Sequence, residues 1–432
     1  MADLTLAPAA EDFVERTYAK VTWRILPFLL ACYLLSYLDR VNVGFVKMQM
    51  MADLRFSDTV YGLGAGIFFL AYFFVEIPSN LIMHKVGARV WIARIMISWG
   101  VISAGMAFVT TPTSFYVMRF LLGVAEAGFY PGVILYLSYW YPTHRRGKMF
   151  AIFALGVPLS GMIGGPISGY LLHTFRDAHP FSAWQWLFVL EGIPSVIAGV
   201  AALFWLTDRV EHATWLSESQ KRLLAAEVAA DARHQAHVSL RAVFRDKRVW
   251  LLTLIYFCMV AGFYTVGFWL PSFIATAGIT DPLQVGALTA VPYACAVAAM
   301  VFISRSADRR RERRWHLALT AAMGIVGLII SAVFGHHLVI AMVGLALAAA
   351  GGLTTVPLFW SLPAAFLDGI AAAAGIALIN SLGNLAGFFG PYLMGYTKDL
   401  THSTHLGIGL ICACMTIGAL LIFRLPAAVV NR

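Results

Sequence analysis

The chain of 432 residues is 60% hydrophobic and only 12% charged. A soluble domain carries ~25% charged residues, so a fully water-facing surface cannot be assembled and the composition points to an integral membrane protein. The net charge of +9 then bears on which side of a bilayer the cations occupy, and a nucleic-acid partner is excluded.

Residues 1–23 are polar and of mixed charge, without the apolar core of a secretory signal. Apolar runs follow at 24–48, 59–83, 90–109, 114–140, 147–172, 184–206, 249–275, 283–304, 315–334, 338–362, 370–396 and 405–425, each long enough to span a bilayer. The predicted fold is therefore an all-α membrane protein of twelve transmembrane helices. The one long polar interval, 207–247, divides them six and six: a first bundle over 24–206, a linker over 207–247, a second bundle over 248–425 and a tail over 426–432. Within the linker, Ser217 and Gln220 form a capping-box pattern ahead of a helix expected over Lys221–Ala236. The links must alternate between sides, and with the N-terminus inside, 25 of the 31 Lys and Arg lie at the cytoplasmic ends, Lys47 and Arg55 being assigned to an outer link. The positive-inside rule thus predicts cytoplasmic N- and C-termini.

The five cysteines lie in apolar spans without ligand spacing, so no metal site and no cofactor is expected. No P-loop is present, so any active transport must draw on an ion gradient or on substrate exchange. The chain is not expected to be an enzyme and has no catalytic residues. The links after helices 2 and 8, Asn80 to Arg89 and Ser304 to Arg311, repeat a polar-basic pattern at an offset of 224 residues, the mark of two related halves that rock about a central site. Glycines and prolines crowd helices 4, 5 and 11, where small faces and proline kinks suit gating.

Ionisable groups inside a bilayer cost ~2.5–3.5 kcal/mol each on insertion scales and are functional candidates. Six are expected: Asp39, Arg40, Glu76, Arg119, Glu126 and Glu191. Arg119, Gly123, Glu126 and Tyr130 share a helix face, as do Tyr33, Tyr37, Arg40 and Gly44, with Tyr72 one turn from Glu76; these faces are predicted to converge on one polar cavity. Arg40 and Arg119 offer the planar fork that captures an anion. Asp39 beside Arg40, and Glu126 near Arg119, are the carboxylates that could exchange protons as an anion comes and goes. Glu76 and Glu191 are placed near helix ends, where caps and snorkelling are common.

The motifs Ser36-Tyr37-Leu38-Asp39-Arg40-Val41-Asn42, Ile77-Pro78-Ser79-Asn80, Arg119 to Gly123 with Glu126 to Gly132, Glu191-Gly192-Ile193-Pro194 and Asn380 to Gly387 together resemble the anion:cation symporter family of the major facilitator superfamily. The resemblance runs from helix 1 to helix 11. Phe359-Trp360-Ser361-Leu362-Pro363 and Ile379-Asn380-Ser381 make it most similar to bacterial tartrate and phthalate permeases. It implies the major facilitator fold in a bacterial inner membrane and uptake of a small organic carboxylate with protons. It further implies proton coupling by Asp39 and Glu126, substrate handling by Arg40, Arg119, Tyr37, Tyr72, Trp360 and Asn380, and gating by Lys85, Gly87, Arg89, Asp308 and Arg309. The chain departs from the family pattern at His84, where an Asp is usual, which implies a weaker gating contact. It departs again at Val157-Pro158, where sugar-acid members carry a polar side chain, which argues against a heavily hydroxylated cargo. The alternative reading is a proton-antiporting exporter of organic anions or drugs, and a sensor signalling through 207–247 is a third. The expected partners are the anion, protons and membrane lipid, around a monomer.

Overall fold

The computed structural model describes residues 8–232, 245–363, 366 and 369–431, and every regular element within them is helical. Eleven stretches among the described residues are long and apolar enough to cross a membrane, six before the central polar interval and five after it. The remaining expected span, the eleventh at 370–396, corresponds to the successive helices α14 and α15 defined below. Large apolar side chains face outward along these helices, Phe204 at 83% and Phe302 at 69% exposure, as a lipid-facing surface requires.

In chain order, α1 (Pro8–Leu54), α2 (Asp58–Val86), α3 (Ala88–Gly105), α4 (Pro112–Glu126), α5 (Phe129–Ser138), α6 (Thr143–Ala154), α7 (Gly156–Thr174) and α8 (Ala183–Trp205) precede the central helix α9 (Glu218–Ala232). Then come α10 (Lys247–Thr276), α11 (Pro282–Arg310), α12 (Arg314–Val333), α13 (Leu338–Trp360), α14 (Gly369–Asn384), α15 (Ala386–Thr401), α16 (His405–Ile422) and the short α17 (Ala427–Val430).

The expected spans 4, 5 and 11 are each interrupted. Pro131 cannot bond to the carbonyl of Ala127 and its ring crowds that carbonyl; the chain breaks there, with Gly128 taking up the left-handed conformation at φ +90°. Pro158 stands in the same relation to Ala154, where α6 ends. The third break, at Leu385 between α14 and α15, has no proline one turn beyond it. The first helix exceeds its expected span at both ends, so the polar stretch before residue 24 is helical from Pro8, and Lys47 lies inside α1 rather than in a link. The cap of α9 forms as the pattern predicts: Gln220 N–H donates to Ser217 Oγ at 3.3 Å and Ser217 N–H to Gln220 Oε1 at 3.1 Å. The last four residues of the expected linker helix lie outside the described residues.

Helices α1–α8 pack on one another, as do α10–α16, and the two groups meet along α1 with α10, α2 with α14 and α15, and α7 with α11. Small residues line the last two seams. A Cβ on Gly66 would stand 2.7 Å from the Phe388 carbonyl oxygen, and one on Gly165 2.9 Å from that of Gly286, so backbones touch where side chains are absent.

One face of the molecule carries the start of α1. There Arg145 pairs with Glu15 at 2.6 Å and the Tyr18 hydroxyl donates to Glu227 of α9 at 2.7 Å. On the opposite face the two groups are joined by charge. Lys47 Nζ lies 2.6 Å from Asp58, which also meets Lys398 at 3.1 Å, while Asp399 accepts the backbone N–H of Asp58 and Thr59 at 3.1 and 2.7 Å. Lys47 is 2% exposed and stands over the Trp269 ring at 3.4 Å.

Candidate functional site

A cavity opens between the two groups of helices at mid-depth. Six tyrosines line it, Tyr33, Tyr37, Tyr72 and Tyr130 from the first group and Tyr256 and Tyr264 from the second, together with Phe69, Phe263 and Trp360. The rings brace each other: Tyr33 stacks on Phe153 at 4.5 Å, and Tyr256 lies 4.8 Å from Phe359 and 4.9 Å from Trp360. Val157 and Pro158 form an apolar wall, and Asn380 and Asn384 supply amides. Among the lining residues one side chain is cationic, Arg40.

Arg40 is 9% exposed and pairs with Glu126, which also accepts from Ser36 Oγ at 3.0 Å. Three aromatic rings surround its guanidinium, those of Phe68, Tyr37 and Tyr72 at 5.2, 5.6 and 5.8 Å, distances at which ring quadrupoles attract a cation. Such a fork, held at a cavity wall by one carboxylate, can exchange that carboxylate for the anion of a ligand.

The other buried charges face elsewhere. Successive helical residues point about 100° apart, and Asp39 turns away from Arg40 into the first group. It accepts from Trp99 Nε1 at 2.7 Å, Ser103 Oγ at 2.9 Å and Ser195 Oγ at 2.6 Å. Arg119 is fully buried behind the Phe68 ring and donates to the carbonyls of Gly64 and Ala65 at 3.2 and 3.3 Å. It is not among the residues lining the cavity, and among the described residues it forms no ion pair. The expected neighbours Asp39 with Arg40 and Glu126 with Arg119 are thus replaced by one pair, Arg40 with Glu126. Tyr37, Tyr72, Trp360 and Asn380 all line the cavity.

Glu76 departs from its expected place near a helix end, because α2 continues to Val86. It is 4% exposed and accepts from Asn380 Nδ2 at 2.7 Å and Ser381 Oγ at 2.8 Å, across the seam between the groups. The available signal was mutual need: a carboxylate in one apolar helix and an Asn-Ser pair in another are each costly to bury without a partner. Glu191 sits 8 residues into α8 and accepts from Ser168 Oγ at 2.6 Å.

The residues expected to gate lie on the face that carries the start of α1. Lys85, His84, Asp308 and Arg309 are exposed. Arg89 N–H donates to Asp208 Oδ1 at 2.8 Å, at the start of the central polar interval, and Asp308 lies 4.0 Å from Arg313, within the second group. Gly87 ends α2 at φ +99° and ψ 149°, and a Cβ there would stand 2.9 Å from Asp208 Oδ1. That backbone region is nearly confined to glycine, so Gly87→Ala should cost about 1–3 kcal/mol, read as a lowered thermal midpoint of the detergent-purified protein.

A family model described as Major Facilitator Superfamily matches residues 29–391. A protein of Agrobacterium vitis named "Putative tartrate transporter" is 48% identical over 95% of this chain and 94% of its own. The "Quinolone resistance transporter" of Acinetobacter baumannii is 40% identical over 95% of each. The crystal structure of a D-xylose-proton symporter superposes with a TM-score of 0.74 at 13% identity, over 94% of this chain and 98% of that one, a likeness of fold.

Proposed function

We propose that this chain, which belongs to the Major Facilitator Superfamily and is a multi-pass membrane transporter rather than an enzyme, imports a small organic carboxylate together with protons. The observation that carries the reading is the Arg40–Glu126 pair at the wall of a cavity lined by six tyrosines and lying between two groups of helices. Ionised Glu126 occupies the guanidinium; a proton on Glu126 frees it for a cargo carboxylate. A dianion moving inward against ~100 mV costs about 4.6 kcal/mol at ~2.3 per charge, and two protons on two carboxylates, Glu126 and Asp39, offset it. Arg119, one shell behind Arg40, raises the positive potential of the site.

The proposed setting is a bacterial inner membrane with both termini cytoplasmic, as the distribution of 25 of 31 cations favours. Residues 24–206 and 248–425 are the two rocking bundles, 207–247 the cytoplasmic linker, and the working unit a monomer in lipid. In this orientation the Lys47–Asp58–Lys398 cluster closes the outer side.

Tartrate transport, named for the Agrobacterium vitis relative, fits a carboxylate cargo. The Val157-Pro158 wall and the rings of Tyr37, Tyr72 and Trp360 favour an aromatic acid, since ring pairs contribute about 0.5–1.5 kcal/mol beyond burial. A thermal-shift series on purified protein should rank benzoate and phthalate above tartrate. Arg40→Lys, a point charge in place of the fork, should weaken binding of the best acid about 10- to 100-fold, the 1.5–3 kcal/mol of a charged hydrogen bond. Unchanged binding removes Arg40 from the site. The second reading, proton-driven export, is favoured by the name of the Acinetobacter relative. A pH dye inside vesicles separates the two: cargo added outside acidifies the lumen for a symporter and alkalinises it for an antiporter.

A further inference from the structure

The hydrogen bonds that cross between the two bundles are unevenly distributed. Toward the outer face they include those of Asp399 with the start of α2, the Tyr61 hydroxyl donating to the Phe268 carbonyl at 2.9 Å, and His173 with Asp281 at 3.2 Å. Inward of the cavity, among the described residues, both crossing hydrogen bonds end on one side chain, Glu76, held by Asn380 and Ser381. Glu76 lies one helical turn inward of the cavity residue Tyr72, and α2 continues ten residues to its inner end at Val86. Among the described residues no Lys, Arg or His stands within ion-pair distance of it, and both of its hydrogen-bond donors are neutral.

Asn380 serves both the cavity and this contact. Its side chain lines the cavity, and its Oδ1 accepts from Asn384 Nδ2 at 3.0 Å, while Asn384 Oδ1 accepts from the Tyr264 hydroxyl at 3.1 Å. The chain Tyr264, Asn384, Asn380, Glu76 therefore runs from the cavity wall to the seam.

We propose that Glu76 is the inner gate of the carrier: its carboxylate ties α2 to α14 below the cavity, and a bound anion releases it by competing for the Asn380 amide. The release step rests on the carboxylate reading, and the tie itself does not. A cargo carboxylate near Asn380 offers that amide a second acceptor and also repels Glu76. The gate therefore opens when occupied, as vectorial delivery requires.

Spin labels at Lys85→Cys and Arg309→Cys, exposed positions at the inner ends of α2 and α11, report the inner opening in nanodiscs, with the exposed Cys295 changed to Ala. Without cargo, Glu76→Ala and Ser381→Ala should each shift the distance distribution to longer values. Glu76→Gln should leave it in place, because the amide accepts from Asn380 and donates to Ser381. Distributions for Ala variants that superimpose on the parent overturn the gate, and Ser381→Ala decides the matter if Glu76→Ala does not insert. An acid among benzoate, phthalate and tartrate that stabilises the protein should lengthen the parent distance and move Glu76→Gln less. A stabilising acid that leaves the parent distribution in place overturns the release step. If none of the three stabilises the protein, the aromatic-carboxylate reading fails, and the gate is judged on the cargo-free distances.

Discussion

Glu126→Gln should abolish pH-driven accumulation of cargo in proteoliposomes while leaving counterflow in place. Glutamine keeps the volume and can still accept from Ser36, so the local packing of α4 against α1 is retained. The loss is of the charge that opposes Arg40. In the parent, a guanidinium 9% exposed alternates between two anions, the Glu126 carboxylate and the cargo, and each exchange moves a proton. Removing one partner of a buried pair usually costs ~3–5 kcal/mol, because a bare charge is left behind. Here the cargo carboxylate can take that place, so the variant should bind its anion without waiting for a proton. For a monoanion carried with one proton and no membrane potential, a gradient of one pH unit contributes about 1.4 kcal/mol, a tenfold accumulation. The variant should equilibrate cargo at a ratio near unity. Tenfold accumulation by Glu126→Gln would remove this carboxylate from the coupling step.

Much of the architecture was legible in the sequence because it depends on amounts rather than neighbours. Runs of apolar residues located the spans: six precede the central polar interval and five follow it, with the expected span at 370–396 formed by α14 and α15. Helical spacing also placed Tyr33, Tyr37 and Arg40 on one wall. Spacing reports which residues share a face of one helix and is silent about which helix stands opposite. That limit explains the differences among the charges. Asp39 and Arg40 are adjacent in sequence, so chain proximity suggested a pair; the turn of the helix sends them to different compartments, and α3, α4 and α8 supply the partners. Arg119 and Glu126 do lie along one side of α4, yet Arg119 is drawn to the carbonyls of α2 and Glu126 to Arg40 of α1. Lys47, counted as a link residue, is buried because Asp58 and the Trp269 ring together replace its water. The same limit covers Glu76, whose partners Asn380 and Ser381 stand opposite it only once α14 is laid beside α2.

The environment of Asp39 sets up a sharper distinction than that of Glu126. Asp39 is 1% exposed, and its Oδ2 accepts from both Trp99 and Ser195, while Oδ1 accepts from Ser103 alone. An asparagine fits that arrangement if its oxygen takes the Oδ2 position, because the Ser103 hydroxyl can turn to accept from the new amide. An alanine does not: the two serines can turn toward helix carbonyls, but the Trp99 indole is a donor only and loses its acceptor. Stranding that N–H costs about 1–3 kcal/mol, before the cavity left by the carboxyl is added. Asp39→Ala should therefore lower the thermal midpoint strongly or fail to insert, while Asp39→Asn should fold with a small loss. The function of Asp39→Asn then isolates the charge from the scaffold. If Asp39 carries one of the transported protons, this folded variant should exchange cargo in counterflow yet lose pH-driven accumulation, as Glu126→Gln does. If accumulation survives in a folded Asp39→Asn protein, Asp39 serves only to anchor α1 to α3 and α8, and coupling rests on the groups that reach the cavity.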